Sequence, residues 1–367
     1  MSNLPLRVLI VDDVHVNRRL LETLLQQAPG FEVVGWAADG VEAVCKTAAL
    51  KPDIVTMDIE MPNANGVEAI RDIMSSTPVP IVVVSSHVNN PSMNVTFEAL
   101  QAGAMDVVQK PDLALQAGPS AAQTRLLETL RAMAGVKVIK RRARKDAPPT
   151  GKPAVVVQGT QGAWPAVGAR VVDLEIVAIG ASAGGPQALA VVLSALPASY
   201  RCPIVVTQHM VEGFITGAAK WLDERCQLNV KIAAPGEILR AGTVYFAPDH
   251  GHLRISRQSN HGSKGLIASI GSDAAIGGFR PAVNALLSSV ADTCGAHAVG
   301  GILTGMGRDG DKGLLAMYKR GAITFAQDEQ SSMIFGMPKA AIEAGAARHT
   351  LALNGIAAFL CNPMQGR

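Results

Sequence analysis

The chain is 367 residues long, 48% hydrophobic and 17% charged, with a formal net charge of +3. That length holds two domains of ordinary size, each with its own core. No uninterrupted apolar run reaches the ~18 residues of a membrane span, and the N-terminus enters a strand pattern without a signal-peptide core, so a cytoplasmic protein without membrane insertion is expected. Cys45, Cys202, Cys226, Cys294 and Cys361 are odd in number and lack C-x-x-C spacing, which excludes a disulfide scaffold and points to reduced thiols.

From residue 5 to about 134, strand and helix patterns alternate. Strands are expected at 7–11, 31–37, 53–58, 81–84 and 105–108, and helices at 14–27, 41–49, 67–74, 92–102 and 121–134. Five such units imply an α/β domain with a parallel sheet covered on both faces, and ligands at the carboxyl ends of the strands.

Polar residues occupy those ends. Asp12 and Asp13 follow the first strand, Asp58 ends the third, Ser85 and Ser86 follow the fourth, and Lys110-Pro111 follow the fifth. Any one could be a cap or turn residue, but a set of carboxylates, a hydroxyl and a lysine on one rim is harder to explain that way. Carboxylates crowded together repel unless a cation neutralises them, and hard oxygen ligands suit Mg²⁺. Asp13 and Asp58 are the expected metal ligands. Asp58 would be the acceptor for a phosphoryl group, with Ser85 and Lys110 meeting its oxygens.

Residues 5–134 resemble a response-regulator receiver domain, on Val11-Asp12-Asp13, Met57-Asp58-Ile59-Glu60-Met61-Pro62, Ser85 and Gln109-Lys110-Pro111. The resemblance implies a flavodoxin-like sheet of order 2-1-3-4-5 and a cis bond before Pro111, which an X-Pro sequence tolerates. Asn65-Gly66 stands for the commoner Asp-Gly, and Val107 occupies the usual place of an aromatic switch residue, which puts an aromatic-flip relay in doubt.

Between residues 135 and 171 the periodicity fades. A basic cluster (Lys137, Lys140, Arg141, Arg142, Arg144, Lys145) precedes Pro148, Pro149 and Pro153, with a short strand pattern at 154–157. Without interleaved aromatics or a following helix-turn-helix, a solvated tether is favoured over a nucleic-acid-binding arm.

A second α/β series runs from 172 to 365, with strands expected at 175–180, 203–208, 230–233, 243–247, 253–256, 298–304 and 323–326. Helices are expected at 186–196, 214–225, 281–290, 312–320 and 339–344. Pro248-Asp249-His250-Gly251 reads as a hairpin turn in a mainly parallel, doubly wound sheet. At the end of the first strand stands Gly180-Ala181-Ser182-Ala183-Gly184-Gly185-Pro186. A serine between glycines at a strand-to-helix junction can present a nucleophilic hydroxyl; the same spacing also suits a tight turn or a phosphate cradle. Such a serine needs a base and an orienting carboxylate. His209 and Asp309 each follow a strand, where the three can converge, while Asp311 and Asp328 compete for the carboxylate role. His250, His252 and His261 lack the ligand set of a metal site.

The second segment resembles the catalytic domain of the chemotaxis protein-glutamate methylesterase (CheB) family, on 179–186, Gln208-His209-Met210, 242–248, 303–310, Ala326-Gln327-Asp328-Glu329 and Phe335-Gly336-Met337-Pro338. The resemblance implies Ser182 as nucleophile, His209 as base and Asp309 as its orienter, with the Met306 N–H at the oxyanion. It implies receptor glutamate γ-methyl esters as substrates, glutamine deamidation by the same chemistry, and a chemotaxis histidine kinase as phosphodonor. The two-domain layout adds the expectation of a switch, in which the unphosphorylated receiver would pack near the Ser182 mouth and phosphorylation at Asp58 would favour an open arrangement. Mg²⁺ would serve the receiver only. Ala183, Val211, Asn284, Leu287 and Ser288 depart from the usual residues. A phosphorylation-gated adaptor and a transcription regulator are the rival classes.

Overall fold

The computed structural model describes residues 4–61, 66–85, 93–111, 120–136, 138, 174–257 and 265–363. Asn65, Ser86, His261 and nearly all of the 135–171 stretch, with its 154–157 strand pattern, lie outside the described residues. The chain forms two compact units.

The first contains β1 (Leu6–Val11), α1 (His15–Gln27), β2 (Phe31–Ala37), α2 (Gly40–Leu50), β3 (Ile54–Met57), α3 (Gly66–Ser76), β4 (Ile81–Ser85), α4 (Met93–Ala102), β5 (Asp106–Gln109) and α5 (Ala121–Ala134). The sheet runs β2-β1-β3-β4-β5, every pairing parallel, in the expected flavodoxin-like order. Strands β3 and β4 are buried throughout, which is why they read as continuous apolar runs rather than alternating ones. Local chemistry sets the helix starts: Asp39 accepts the Glu42 N–H at α2, and Ser120 with Gln123 forms a capping box at α5. Sequence order reverses between β1 and β3, which opens a crevice at their carboxyl ends.

The second series comprises β6 (Ile176–Ala181), α6 (Gly185–Ser194), β7 (Ile204–Gln208), α7 (Phe214–Asp223), β8 (Asn229–Ile232), β9 (Thr243–Phe246), β10 (His252–Arg257) and β11 (Leu266–Gly271). It continues with α8 (Val283–Cys294), β12 (Ala298–Ile302), α9 (Asp311–Lys319), β13 (Ile323–Gln327), α10 (Met337–Glu343), β14 (His349–Leu351) and α11 (Leu353–Cys361). Its seven-stranded sheet has the order β14-β13-β12-β6-β7-β9-β8 and is parallel throughout.

The expected hairpin across residues 248–251 does not form. Strand β9, buried at every position, stays between β7 and β8 in the parallel sheet. Strand β10 leaves it and pairs antiparallel with β11, a strand absent from the sequence reading. The pattern of β10 explains this: Leu253 and Ile255 are buried while Arg254 is only half-buried, so one face is apolar. That face shares a core with Leu266 and Ala268 of β11 and with Leu286, Leu287 and Val290 of α8. Strand β14 and helix α11 are likewise additions, and α8 begins and ends later than expected. Among the described residues the cis peptide bond is Arg280-Pro281, not the bond before Pro111.

Candidate active site

Three neighbouring strands, β12, β6 and β7, bring Asp309, Ser182 and His209 to one edge of the sheet. Ile302 pairs with Gly180 and Ala181 pairs with Gln208, so the loops leaving the three strands start level. The chain winds outward from β6 in one direction and from β12 in the other, and this point of reversal is where open α/β sheets bind ligands. Backbone bonds tie the loops together: the Ser182 N–H donates to the Thr304 carbonyl (3.0 Å) and the His209 N–H to the Ala181 carbonyl (2.9 Å).

All three expected triad residues are buried. His209 Nε2 lies 2.9 Å from Asp309 Oδ2. The same carboxylate accepts the N–H groups of Val283 (2.7 Å) and Asn284 (3.0 Å), the first two residues of α8. Asp309 therefore caps a helix whose own N-cap, Ala282, has no side chain for the task. Burial raises the Asp309 pKa, but the His209 hydrogen bond and the two backbone donors outweigh it and hold the carboxyl below its usual range. An ionised Asp309 can only accept, so Nε2 must carry the ring proton. In the neutral imidazole Nδ1 then bears the lone pair, and it is buried with no hydrogen-bond partner among the described residues. The competing carboxylates are occupied elsewhere: Asp311 binds Arg308 and the Lys312 N–H, and Asp328 binds Ser331.

The turn carrying Ser182 is braced on both sides. Gln208 Nε2 donates to the Ser182 carbonyl (2.7 Å) and the His209 carbonyl (2.9 Å), so one amide joins the serine and histidine loops. Thr304 Oγ1 donates to the Ala183 carbonyl at 2.9 Å, and the Thr304 N–H donates to Gln327 Oε1 at 2.9 Å. Gly180, still within β6, is required by packing. A Cβ there would stand 2.2 Å from Val283 Cγ1, so the glycine admits the start of α8, and with it the N–H groups that hold Asp309. The Met306 N–H, expected at the oxyanion, is on a partly exposed loop residue and donates to no group of the described chain. Asn284, one of the unusual residues, uses its side-chain oxygen to accept the Gly313 N–H (2.7 Å) in α9.

In the other unit the rim residues also converge. Lys110 Nζ lies 2.5 Å from Asp58 Oδ2 and 2.7 Å from Asp12 Oδ2. Asp12 Oδ1 is held by the Val14 N–H and the Asn17 amide. Burial pushes the Asp58 pKa up, more than Lys110 and the Glu60 N–H pull it down. Burial alone would lower the Lys110 pKa, but Asp12 and Asp58 reverse this and raise it. Asp12, Asp13 and Asp58 offer ligand oxygens all within 4.8 Å of one another, a hard-donor set that fits a small divalent cation. Ser85 Oγ is buried and has no partner among the described residues, which fits an anion that arrives later. Val107 is buried in β5.

Residues 177–360 match the CheB methylesterase family model, and residues 8–116 match the response regulator receiver domain. A "protein-glutamate methylesterase/protein-glutamine glutaminase 4" of Myxococcus xanthus is 40% identical over 366 residues, covering 100% of this chain and 99% of the relative. The chain belongs to the CheB family. A second family member, from Anaeromyxobacter dehalogenans, is 40% identical over 357 residues, 96% of this chain and 95% of its own. The catalytic domain of Thermotoga maritima CheB superimposes with a TM-score of 0.50 at 36% identity, covering 53% of this chain and 100% of that one. As a CheB-family protein the chain is a carboxylic ester hydrolase joined to a receiver. No helix among its described residues is long and apolar enough to cross a membrane.

Ser182, His209 and Asp309 are legible in the sequence, but their supports are not. Gln208 and Thr304 carry no chemistry at the sequence level; the signal available is a buried amide or hydroxyl at the end of an apolar strand, where a polar side chain must find a partner.

Proposed function

We propose that this CheB-family chain is a phosphorylation-controlled protein-glutamate methylesterase acting on methylated chemotaxis receptors in the cytoplasm. Residues 5–134 form the receiver, 135–171 the tether and 172–365 the catalytic domain. The observation that carries the reading is the His209–Asp309 hydrogen bond, which leaves a buried Nδ1 with no partner among the described residues, on the histidine at the sheet edge that also carries Ser182.

His209 Nδ1 takes the Ser182 proton as Oγ attacks the γ-carbonyl of a methylated glutamate. The oxyanion forms against the Met306 N–H. His209 then protonates departing methanol, and activates the water that hydrolyses the acyl-enzyme. Asp309 stays ionised throughout, fixes the tautomer and stabilises the imidazolium. With a glutamine substrate the leaving group is ammonia and the other steps are unchanged.

On the receiver, Asp58 accepts the phosphoryl group from a histidine kinase, Lys110 pairs with the new charge and the Ser85 hydroxyl donates to it. Asp13 and Asp58, beside Asp12, would hold Mg²⁺, which supplies charge neutralisation for the incoming phosphate. Phosphorylation shifts a two-state equilibrium toward the active enzyme. The intact Ser182, His209 and Asp309 set argues against a binding-only adaptor.

The test is methanol release from membranes carrying methylated receptors, with and without acetyl phosphate. Ser182→Ala should be inactive in both conditions, and Asp58→Asn should fail to respond to the phosphodonor. Near-full turnover by Ser182→Ala would overturn the triad; equal stimulation of Asp58→Asn would overturn the control.

A further inference from the structure

Phe279 and His209 stack face to face, with ring centroids 4.1 Å apart and planes inclined by 3°. We infer that Phe279 is a positioning residue for the catalytic histidine, clamping the ring on a face that its hydrogen bond to Asp309 leaves free. The inference rests on the proposed triad.

A turn built for the purpose delivers the side chain. Ile276 and Phe279 exchange two backbone hydrogen bonds, of 3.0 and 3.1 Å, across Gly277 and Gly278. Both glycines have positive φ, 62° and 88°, the backbone of a tight two-residue hairpin turn. Residues 272–278 are all exposed, whereas Phe279 is half-buried and folds back onto His209. Four residues on, the chain enters α8, whose Val283 and Asn284 N–H groups hold Asp309. One short stretch, residues 279–284, thus supports the base through its ring face and through its carboxylate.

A hydrogen bond at Nε2 fixes one edge of the imidazole but leaves it free to tilt about the axis through Cβ and Nε2. Tilting swings Nδ1 away from the place where it must meet a serine hydroxyl. A parallel aromatic ring in van der Waals contact opposes that tilt. When the imidazole takes the serine proton it becomes a cation lying against a π face, an arrangement that favours the charged form. Both effects act on turnover rather than on substrate binding.

The experiment uses the full-length chain activated with acetyl phosphate and membranes carrying methylated receptors. Phe279→Leu should lower kcat roughly ten-fold with KM unchanged, and Phe279→Tyr, which keeps the ring, should stay within about two-fold of the parent. The His209 ring protons should move downfield in the NMR spectrum of Phe279→Leu as the ring current is lost. Thermal unfolding of each variant checks folding, and Phe279→Met substitutes for the leucine variant if that one is not folded. Leucine and methionine variants with kcat within two-fold of the parent would overturn the inference. So would a change confined to KM, which would make Phe279 a substrate contact. Ser182→Ala, run alongside, separates the outcomes: if it retains turnover, the triad itself is wrong, whatever Phe279 does.

Discussion

His209 donates its Nε2–H to Asp309 Oδ2 at 2.9 Å, and that oxygen simultaneously accepts the Val283 N–H at 2.7 Å. The carboxylate is therefore both the histidine's orienter and the cap of α8. Compared with serine-protease triads, the ring is turned so that Nδ1 rather than Nε2 is left for the nucleophile.

This double duty makes Asp309→Asn informative. The amide retains the shape but cannot accept from all three donors at once. We expect kcat to fall by about 10³–10⁴-fold, with a loss of stability of about 1–3 kcal/mol from the weakened cap and buried donors. Methanol release and denaturant unfolding measure the two effects separately.

The depressed Asp309 pKa has a consequence for stability in acid. The folded-state value lies below the unfolded one. Ionised Asp309 therefore stabilises the fold above the unfolded value of about 4, and this contribution is lost as pH falls through the folded value. The drop in Tm on acidification below about pH 4 should be smaller in Asp309→Asn than in the parent. Parallel slopes in the two proteins would contradict this.

Gly180→Ala should damage the site without touching any reacting group. Its Cβ would stand 2.2 Å from Val283 Cγ1, and the start of α8 must retreat, taking with it the donors that hold Asp309. Overpacking of this kind costs about 1–3 kcal/mol. Unfolding midpoints should fall and kcat should fall with them, while acetyl phosphate labelling of Asp58 stays at the parental level.

Gln208→Met removes the single amide that joins the serine and histidine loops. Ser182 O keeps its bond from the Gly185 N–H at 2.8 Å, whereas His209 O loses its Gln208 donor. The expected cost is about 1–3 kcal/mol of stability. Labelling of Ser182 by a fluorophosphonate should slow, because the nucleophile and base loops lose one of the bonds that join them.

On the receiver, Ser85→Ala should slow phosphoryl uptake from acetyl phosphate and Asp58→Asn should abolish it, as intact-mass measurement would show. Ser85 Oγ has no partner in the described chain, so its loss should leave the unphosphorylated fold as stable as before. A fall in Tm for Ser85→Ala would mean that the hydroxyl has a structural role.

Much of this protein was legible from its residues in order. Alternating apolar runs and helical periodicity specified two α/β domains, because interior parallel strands must be apolar on both faces, as β3, β4 and β9 are. Polar residues at strand ends marked the receiver rim and the Ser182 and His209 positions, while Asp309 was picked out by the family resemblance alone. Local pattern could not say where β9 and β10 go, since a four-residue buried strand looks alike beside a hairpin partner or inside a parallel sheet, and only the competition for a place beside β7 and β8 resolves it. Nor could it tell Asp309 from Asp311 or Asp328. All three stand near strand exits, and what singles out Asp309 is the arrival of α8 over Gly180. Gly180 belongs to a glycine-rich motif whose spacing suits a tight turn; in the fold it is still part of β6, and its missing side chain is the space into which the start of α8 packs beside the triad.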